Sequence, residues 1–166
     1  MNIRTFIIYH DCGHNSYTPN KKINYILGSI LGIFVFTPFC WTYSHHNHHL
    51  TSGNINNKLE HNHNETVLYT LKEYNEMGNM KYIYKIIKNP FMFFMIIPSL
   101  KFFILHRFQI LLYNDSYKQD IYRILFDTLF NNIGIFLLLI YMNQFGILYQ
   151  YLSSIVIASS LGFMLF

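Results

Sequence analysis

The sequence predicts an all-α, multi-helix integral membrane protein, with one C-terminal transmembrane hairpin and interfacial helices ahead of it. Three observations carry that prediction. The 166 residues are 52% hydrophobic and only 12% charged, where soluble domains carry roughly 25% charged residues. Two long apolar segments, Ile121 to Met142 and Phe145 to Phe166, close the chain, and each reaches the ~20 residues needed to cross a bilayer as a helix. Histidines recur at helical spacing in two clusters, His10-Asp11-Cys12-Gly13-His14 and His45-His46-Asn47-His48-His49.

Residues 1–22 comprise a short apolar lead (Phe6 to Tyr9), the first histidine cluster and a polar turn with Pro19. Residues 23–39 carry no charge but hold Gly28, Gly32 and a Thr37-Pro38 break. Residues 44–66 are polar and rich in His and Asn, and Thr66 to Lys88 reads as one or two polar amphipathic helices. Pro90 to Leu112 is apolar but interrupted by Pro98, Lys101, His106 and Arg107, the pattern of an interfacial or partly entering segment. In the terminal hairpin, Asn143-Gln144 is the expected turn. Asp127 is costly against lipid, so it is expected near the interface or facing protein.

Every Lys and Arg lies at or before Arg123 and none follows. The positive-inside bias then places the histidine-rich region on the cytoplasmic side. If both histidine clusters serve one site, the segment between them crosses the membrane an even number of times. Residues 23–39 fall well short of the ~40 that two crossings need. The expectation is zero crossings: the segment lies in the interface, or dips in and returns at Pro38.

A net charge of +4 without a dense basic run argues against nucleic-acid binding. Cys12 and Cys40 are too few for a disulfide framework, and no secretory leader pattern opens the chain. The Asn, Ile, Lys and Tyr bias has the look of AT-rich coding and bears on the genome, not on function.

Residues four apart on a helix share a face. His10 and His14 are so placed, and so are His45, His48 and His49, whereas His46 falls about a hundred degrees round the helix and is expected to point away. Five face-matched imidazoles can begin a metal cage, one that suits Fe, Zn, Cu or Ni on chemistry alone. The carboxylates of ferritin-like di-iron sites have no counterpart. Asp11 is off the ligand face and is expected to orient an imidazole by hydrogen bonding. The rival reading is a set of exposed loop histidines. It is preferred for His61, His63 and His106, but five face-matched histidines flanking one apolar segment are hard to obtain by chance.

These residues resemble the first two histidine boxes of the membrane fatty acid desaturase family, in its acyl-lipid, omega-6/delta-12-like branch. HxxxH stands at His10 and His14, and HxxHH at His45, His48 and His49. Thr37-Pro38, Trp41, Thr51 to Asn54 and Lys88-Asn89-Pro90 also match, so the resemblance covers most of the chain. It implies a non-haem di-iron centre ligated by those five histidines, activating O2 to desaturate membrane-lipid acyl chains with electrons from ferredoxin or cytochrome b5. It also places Thr51, Ser52, Gly53 and Asn54 near the metal or the acyl chain. The family has a membrane hairpin before the first box and a third histidine box after the last transmembrane helix, and residues 1–166 show neither. The expectation is therefore a partial desaturase domain over 1–166, inactive as this chain alone. A second polypeptide carrying the third box would complete it. The alternatives are a non-catalytic membrane scaffold or metal-binding remnant, and half of a related di-iron hydroxylase. The implied location is a multi-pass protein of the endoplasmic reticulum, or of another host membrane for a viral or eukaryotic source.

Overall fold

The computed structural model describes residues 2–51, 69–104 and 120–165, and among them every regular element is helical. They are α1 (Asn2–Gly13), α2 (Lys21–Phe34), α3 (Trp41–Thr51), α4 (Leu71–Glu76), α5 (Met80–Ile87), a π-helical turn (Met92–Ile96) running into α6 (Ile97–Phe103), α7 (Ile121–Gln144) and α8 (Leu148–Leu165). The amphipathic stretch thus forms two helices, as one of the two expected forms. His61, His63, His106 and Arg107 lie outside the described residues.

Two connections decide where the histidines go. After α1 the chain turns through Asn15, whose φ of 56° lies in the left-handed region that asparagine tolerates. Asn24, fully buried in α2, then clamps the turn. It donates from Nδ2 to Thr18 O at 2.8 Å and accepts from Thr18 N at 2.9 Å. Asn20 caps α2 by accepting from the amides of Lys22 and Ile23, satisfying donors the first turn would otherwise leave open.

The second connection reverses the chain. Phe36 takes a φ of 59° and Thr37 N donates back to Gly32 O at 3.0 Å. The returning residues then lie along α2 on its glycines. A Cβ at Gly28 would stand 2.0 Å from the Phe39 ring, and one at Gly32 would stand 2.5 Å from Thr37 O. Four side chains or amides from other elements secure this turn. Tyr9 OH donates to Pro38 O at 3.0 Å, Asn131 Nδ2 to Thr37 O at 3.3 Å, Tyr151 OH to Phe34 O at 3.2 Å, and Trp41 N to Pro38 O at 3.0 Å. Tyr9, Cys12, Val35, Phe39 and Trp41 form the core beneath it.

α7 packs a narrow stripe inward: Ile124, Asp127, Asn131 and Ile135 are buried, spaced for one helix face. Asp127 accepts from Tyr25 OH, and the Arg123 guanidinium lies 4.6 Å from the centre of the Tyr25 ring. Gly134 admits Ile33 of α2, to which a Cβ would come within 2.4 Å. The other faces of α7 are apolar and exposed, with Leu125, Phe126, Leu129, Ile133, Phe136 and Leu137 outermost. Polar groups therefore sit inside and apolar groups outside, the reverse of a water-soluble helix. Asp127, expected against protein or near the interface, is 2% exposed and faces α2.

α7 is one helix long and apolar enough to cross a membrane; α5 with the Met92–Leu100 segment would make a second, bent by 68°. The break falls between Ile87 and Met92 and holds Pro90, which disfavours helical backbone at the residue before it, Asn89. The π-helical turn is a separate feature within the second segment: Pro98 offers no N–H to the Phe94 carbonyl and crowds it, and Ile97 N–H reaches Met92 O. The turn between α7 and α8 comes later than Asn143-Gln144, which remain helical; it centres on Gly146, at φ 68°. Only glycine adopts that conformation without cost, so it outweighs the polarity of the Asn-Gln pair. α8 is tied to α6 by Ser99 and Ser159, whose hydroxyls are 3.0 Å apart, and to α1 by Asn2 Nδ2 donating to Ser154 Oγ at 3.0 Å.

Two substitutions test this framework by thermal unfolding in detergent. Gly32→Ala pushes a methyl onto the Thr37 backbone carbonyl, which cannot swing aside, and is expected to cost about 1–3 kcal/mol. Asp127→Ala leaves the Tyr25 hydroxyl without its acceptor and is expected to cost a similar ~1–3 kcal/mol. Asp127→Asn keeps an acceptor and should cost less; equal losses for Ala and Asn would show that the hydrogen bond is not what matters.

Candidate metal centre

The site is built from two helical ladders facing one another. Phe6 and His10 on α1 and His14 just past its end, its amide still donating to His10 O, follow at four-residue spacing; on α3, Trp41, His45 and His49 do the same. The ladders meet because α1 carries glycine where α3 crosses it. A Cβ at Gly13 would lie 2.7 Å from the Thr42 methyl, so the close approach requires the missing side chain.

Four imidazoles converge. One ligand atom from each of His10, His14, His45 and His49 lies within 4.8 Å of all the others. His45 Nε2 is 2.9 Å from His10 Nε2, 3.1 Å from His14 Nε2 and 3.1 Å from His49 Nε2. His10 and His14 Nε2 are 3.2 Å apart. Nitrogens at metal bonds of about 2.0–2.1 Å lie roughly 2.9 Å apart at right angles and roughly 3.3 Å apart at the tetrahedral angle. The observed separations fall in that range. One proton per pair could bridge some of these contacts, but a cation beside His45 could be shared by several of the lone pairs at once. The donor set and its spacing fit a metal ion.

The surroundings bear on His10 through a hydrogen bond and on His14 through burial. Asp11 Oδ1 lies 3.4 Å from His10 Nδ1, so an Nδ1–H directed at the carboxylate leaves the Nε2 lone pair facing the cluster. Burial first, then the neighbouring His10, His49 and His46, push the His14 pKa below its ordinary value, with Asp11 opposing. The Cys12 thiol, although inside the first cluster, packs into the core and is not among the converging atoms; burial and Asp11 raise its pKa.

Of the five histidines expected as ligands, the structure brings four together. His48 lies on α3, but its side chain is outside what is described, as is that of Thr51; Ser52, Gly53 and Asn54 fall outside the described residues. His46 is not in the converging group. Its Nδ1 is 2.7 Å from Thr42 O, yet its ring stays 5.3 Å from the His14 ring and so remains closer to the cluster than expected. Sequence reasoning missed two contributors. Gly13 was legible as the glycine inside the first box, but its role needs the partner helix. The Trp41 indole stacks on the His45 ring, centroids 4.4 Å apart and planes 17° apart. The spacing of 41 and 45 allows that contact without requiring it.

Comparison with known proteins points to one family. A family model described as fatty acid desaturase matches residues 1–166. A fatty acid desaturase of Bacillus subtilis is 36% identical over 107 residues, taking in 63% of this chain and 30% of that protein. An sn-2 acyl-lipid omega-3 desaturase (ferredoxin) of Helianthus annuus chloroplasts is 38% identical over 53 residues, 31% of this chain and 12% of the relative. A Delta(12) fatty acid dehydrogenase of Crepis alpina is also 38% identical over 53 residues, 31% of this chain and 14% of the relative. The matches thus span less than a third of the length of each of these relatives. No solved structure matches. With a desaturase family match along its whole length and paired histidine ladders converging on one point, the chain belongs to the fatty acid desaturase family.

Proposed function

We propose that this chain supplies the two-box part of a non-haem di-iron centre for O2-dependent desaturation of membrane-lipid acyl chains. The observation that carries the reading is the convergence of His10, His14, His45 and His49. Bound iron would supply O2 activation and hydrogen removal; the protein's part is to hold and orient it. His45, in reach of the other three, is the central ligand, and Asp11 fixes the His10 ring by accepting from Nδ1–H. His48, face-matched to His45 in the second box, is the proposed fifth ligand. Four or five imidazoles serve one iron fully and a second only in part. The proposed di-iron centre therefore needs further ligands, of the kind a third histidine box carries, and residues 1–166 by themselves are proposed to be inactive. Thr51, closing α3 half a turn beyond His49, and the adjoining Ser52, Gly53 and Asn54 are proposed to border the acyl chain. Ferredoxin is the favoured electron donor, since the sunflower relative is named for it; cytochrome b5 is the other.

The lipid setting follows from α7. Its exposed apolar faces and inward Asp127 and Asn131 suit hydrocarbon outside and protein inside. Since α2 is only 14 residues long and the chain then folds back along it, the two histidine boxes share one side without an intervening crossing. That side is the cytoplasm by the positive-inside bias. α5 sits at the surface, with Lys81, Lys85 and Lys88 along one side and Met80, Ile83 and Ile87 on another.

Metal titration of the purified chain tests the centre. One equivalent of Fe(II) or Co(II) is expected to bind firmly and a second weakly, with binding lost in His10→Ala and His45→Ala. Unchanged binding in both variants would refute the assignment. Residues 1–166 by themselves should show no desaturation, and supplying a segment or polypeptide that carries a third histidine box should restore it. Topology is read by thiol labelling in sealed vesicles. Tyr17→Cys is expected to react from the cytoplasmic face and Phe145→Cys, in the α7–α8 turn, from the opposite one. Labelling of both from one side would rule out α7 as a span.

A further inference from the structure

We infer that Trp41 is the positioning residue of the metal centre: its indole face holds the His45 imidazole at the angle that aims Nε2 into the cluster. The inference rests on the metal reading above and goes beyond it, since a tryptophan ligates nothing. A histidine on a helix has a well-defined first torsion, but its second is broad and roughly two-fold. Helical spacing therefore brings His45 to the correct side without fixing the plane of its ring. That plane matters most at His45, whose Nε2 stands within 3.1 Å of three other imidazole nitrogens. The indole lies nearly parallel to the ring, 4.4 Å away and tilted by 17°. Any substantial rotation of His45 would drive its edge into that face.

The indole can act as a stop because it is itself fixed. Trp41 is 8% exposed and begins α3, its amide donating to Pro38 O at 3.0 Å. Tyr9 packs against it at 5.8 Å and anchors the same Pro38 carbonyl through its hydroxyl. Phe6 of α1 lies 6.1 Å from the indole and 6.3 Å from the His10 ring. One turn below His10 and His45, the two histidine ladders thus continue as a pair of aromatic rings in contact. Together they close that side of the centre with apolar surface, so the cation's field falls on imidazole and not on water. The chain reversal at residues 35–40 is what delivers Trp41 to this place, so the anchoring of Pro38 is transmitted to the ligand through the indole.

Trp41 is the sole tryptophan in the sequence, which makes its emission a direct reporter. The full-length chain in detergent is titrated with Co(II), following both the cobalt visible absorption and the tryptophan fluorescence. The expected result is quenching of Trp41 emission with the same midpoint as the absorption change. Trp41→Leu should weaken Co(II) binding about 10- to 100-fold, the usual effect of losing a group that orients a ligand. Trp41→Phe retains a stacking face and should recover most of the affinity. Phe39→Leu is the control for general loosening, because Phe39 packs on Tyr9 and Gly28 in the same core; its affinity should stay near wild type. If Trp41→Leu loses helicity, Trp41→Met replaces it and is expected to show the same weakening.

Wild-type affinity in a helical Trp41→Leu or Trp41→Met protein would overturn the inference. So would a loss in Phe39→Leu equal to that in Trp41→Leu, or cobalt binding that leaves the wild-type emission unchanged. Failure of the wild-type chain to bind cobalt at all would instead overturn the metal reading and this inference with it.

Discussion

Four imidazoles carried on two separate helices can point at one place only if the helices cross within side-chain reach. Everything else in the described structure serves that approach. The crossing is closest where Gly13 meets Thr42, and a side chain at 13 would hold the ladders apart. Its angle is set further back, by the reversal at residues 35–40, which returns the chain along α2 and starts α3 on the correct side. That reversal is held by its own backbone hydrogen bonds and by other helices together. The Thr37 and Pro38 carbonyls, and that of Phe34 at the end of α2, accept from Asn131, Tyr9 and Tyr151 of three other helices. The histidine cluster is therefore coupled to the helices α7 and α8, although they contribute none of the converging nitrogens.

The same coupling accounts for the unusual distribution of polarity. An inward stripe on α7 places Asp127 against Tyr25 and Asn131 against the reversal, while phenylalanine, leucine and isoleucine cover the outside. In water this arrangement would waste apolar burial. In hydrocarbon it is economical, because internal hydrogen bonds are then the polar groups' only recourse. The serine contacts between α6 and α8 follow the same rule, small residues allowing helices to pack where lipid supplies no hydrophobic drive. Charge gathers elsewhere, on α5, where lysines flank an apolar side.

Family membership gives these features a purpose without transferring the whole enzyme. The aligned parts of the relatives cover a fraction of their lengths, so their substrates and electron donors remain theirs. What this chain displays by itself is a converged set of imidazoles with a carboxylate behind one ring and an indole beneath another. On the proposed metal reading both supports would act on orientation: Asp11 through a proton on His10 Nδ1, Trp41 through the shape of its stacking face.

The amino-acid sequence alone determined the helical class, the candidate ligands His10, His14, His45 and His49, and that Asp127 stays off lipid, near the interface or against protein. Each depends on periodicity or on the cost of charge in an apolar segment, and both are local properties of the chain. It also foretold a break near Thr37-Pro38, since proline limits the backbone wherever it occurs. It placed the last turn too early: Asn143 and Gln144 are polar, but the left-handed backbone needed there is available at Gly146. His46 was expected to turn away, and a carbonyl on its own helix, at Thr42, keeps its ring near His14 instead. Only the tertiary structure decided that the boxes face each other, that Gly13 permits it and that Trp41 lies flat on His45. Those facts concern distances between residues far apart in the chain, and helical periodicity sets the face a residue occupies but not what the fold brings to that face.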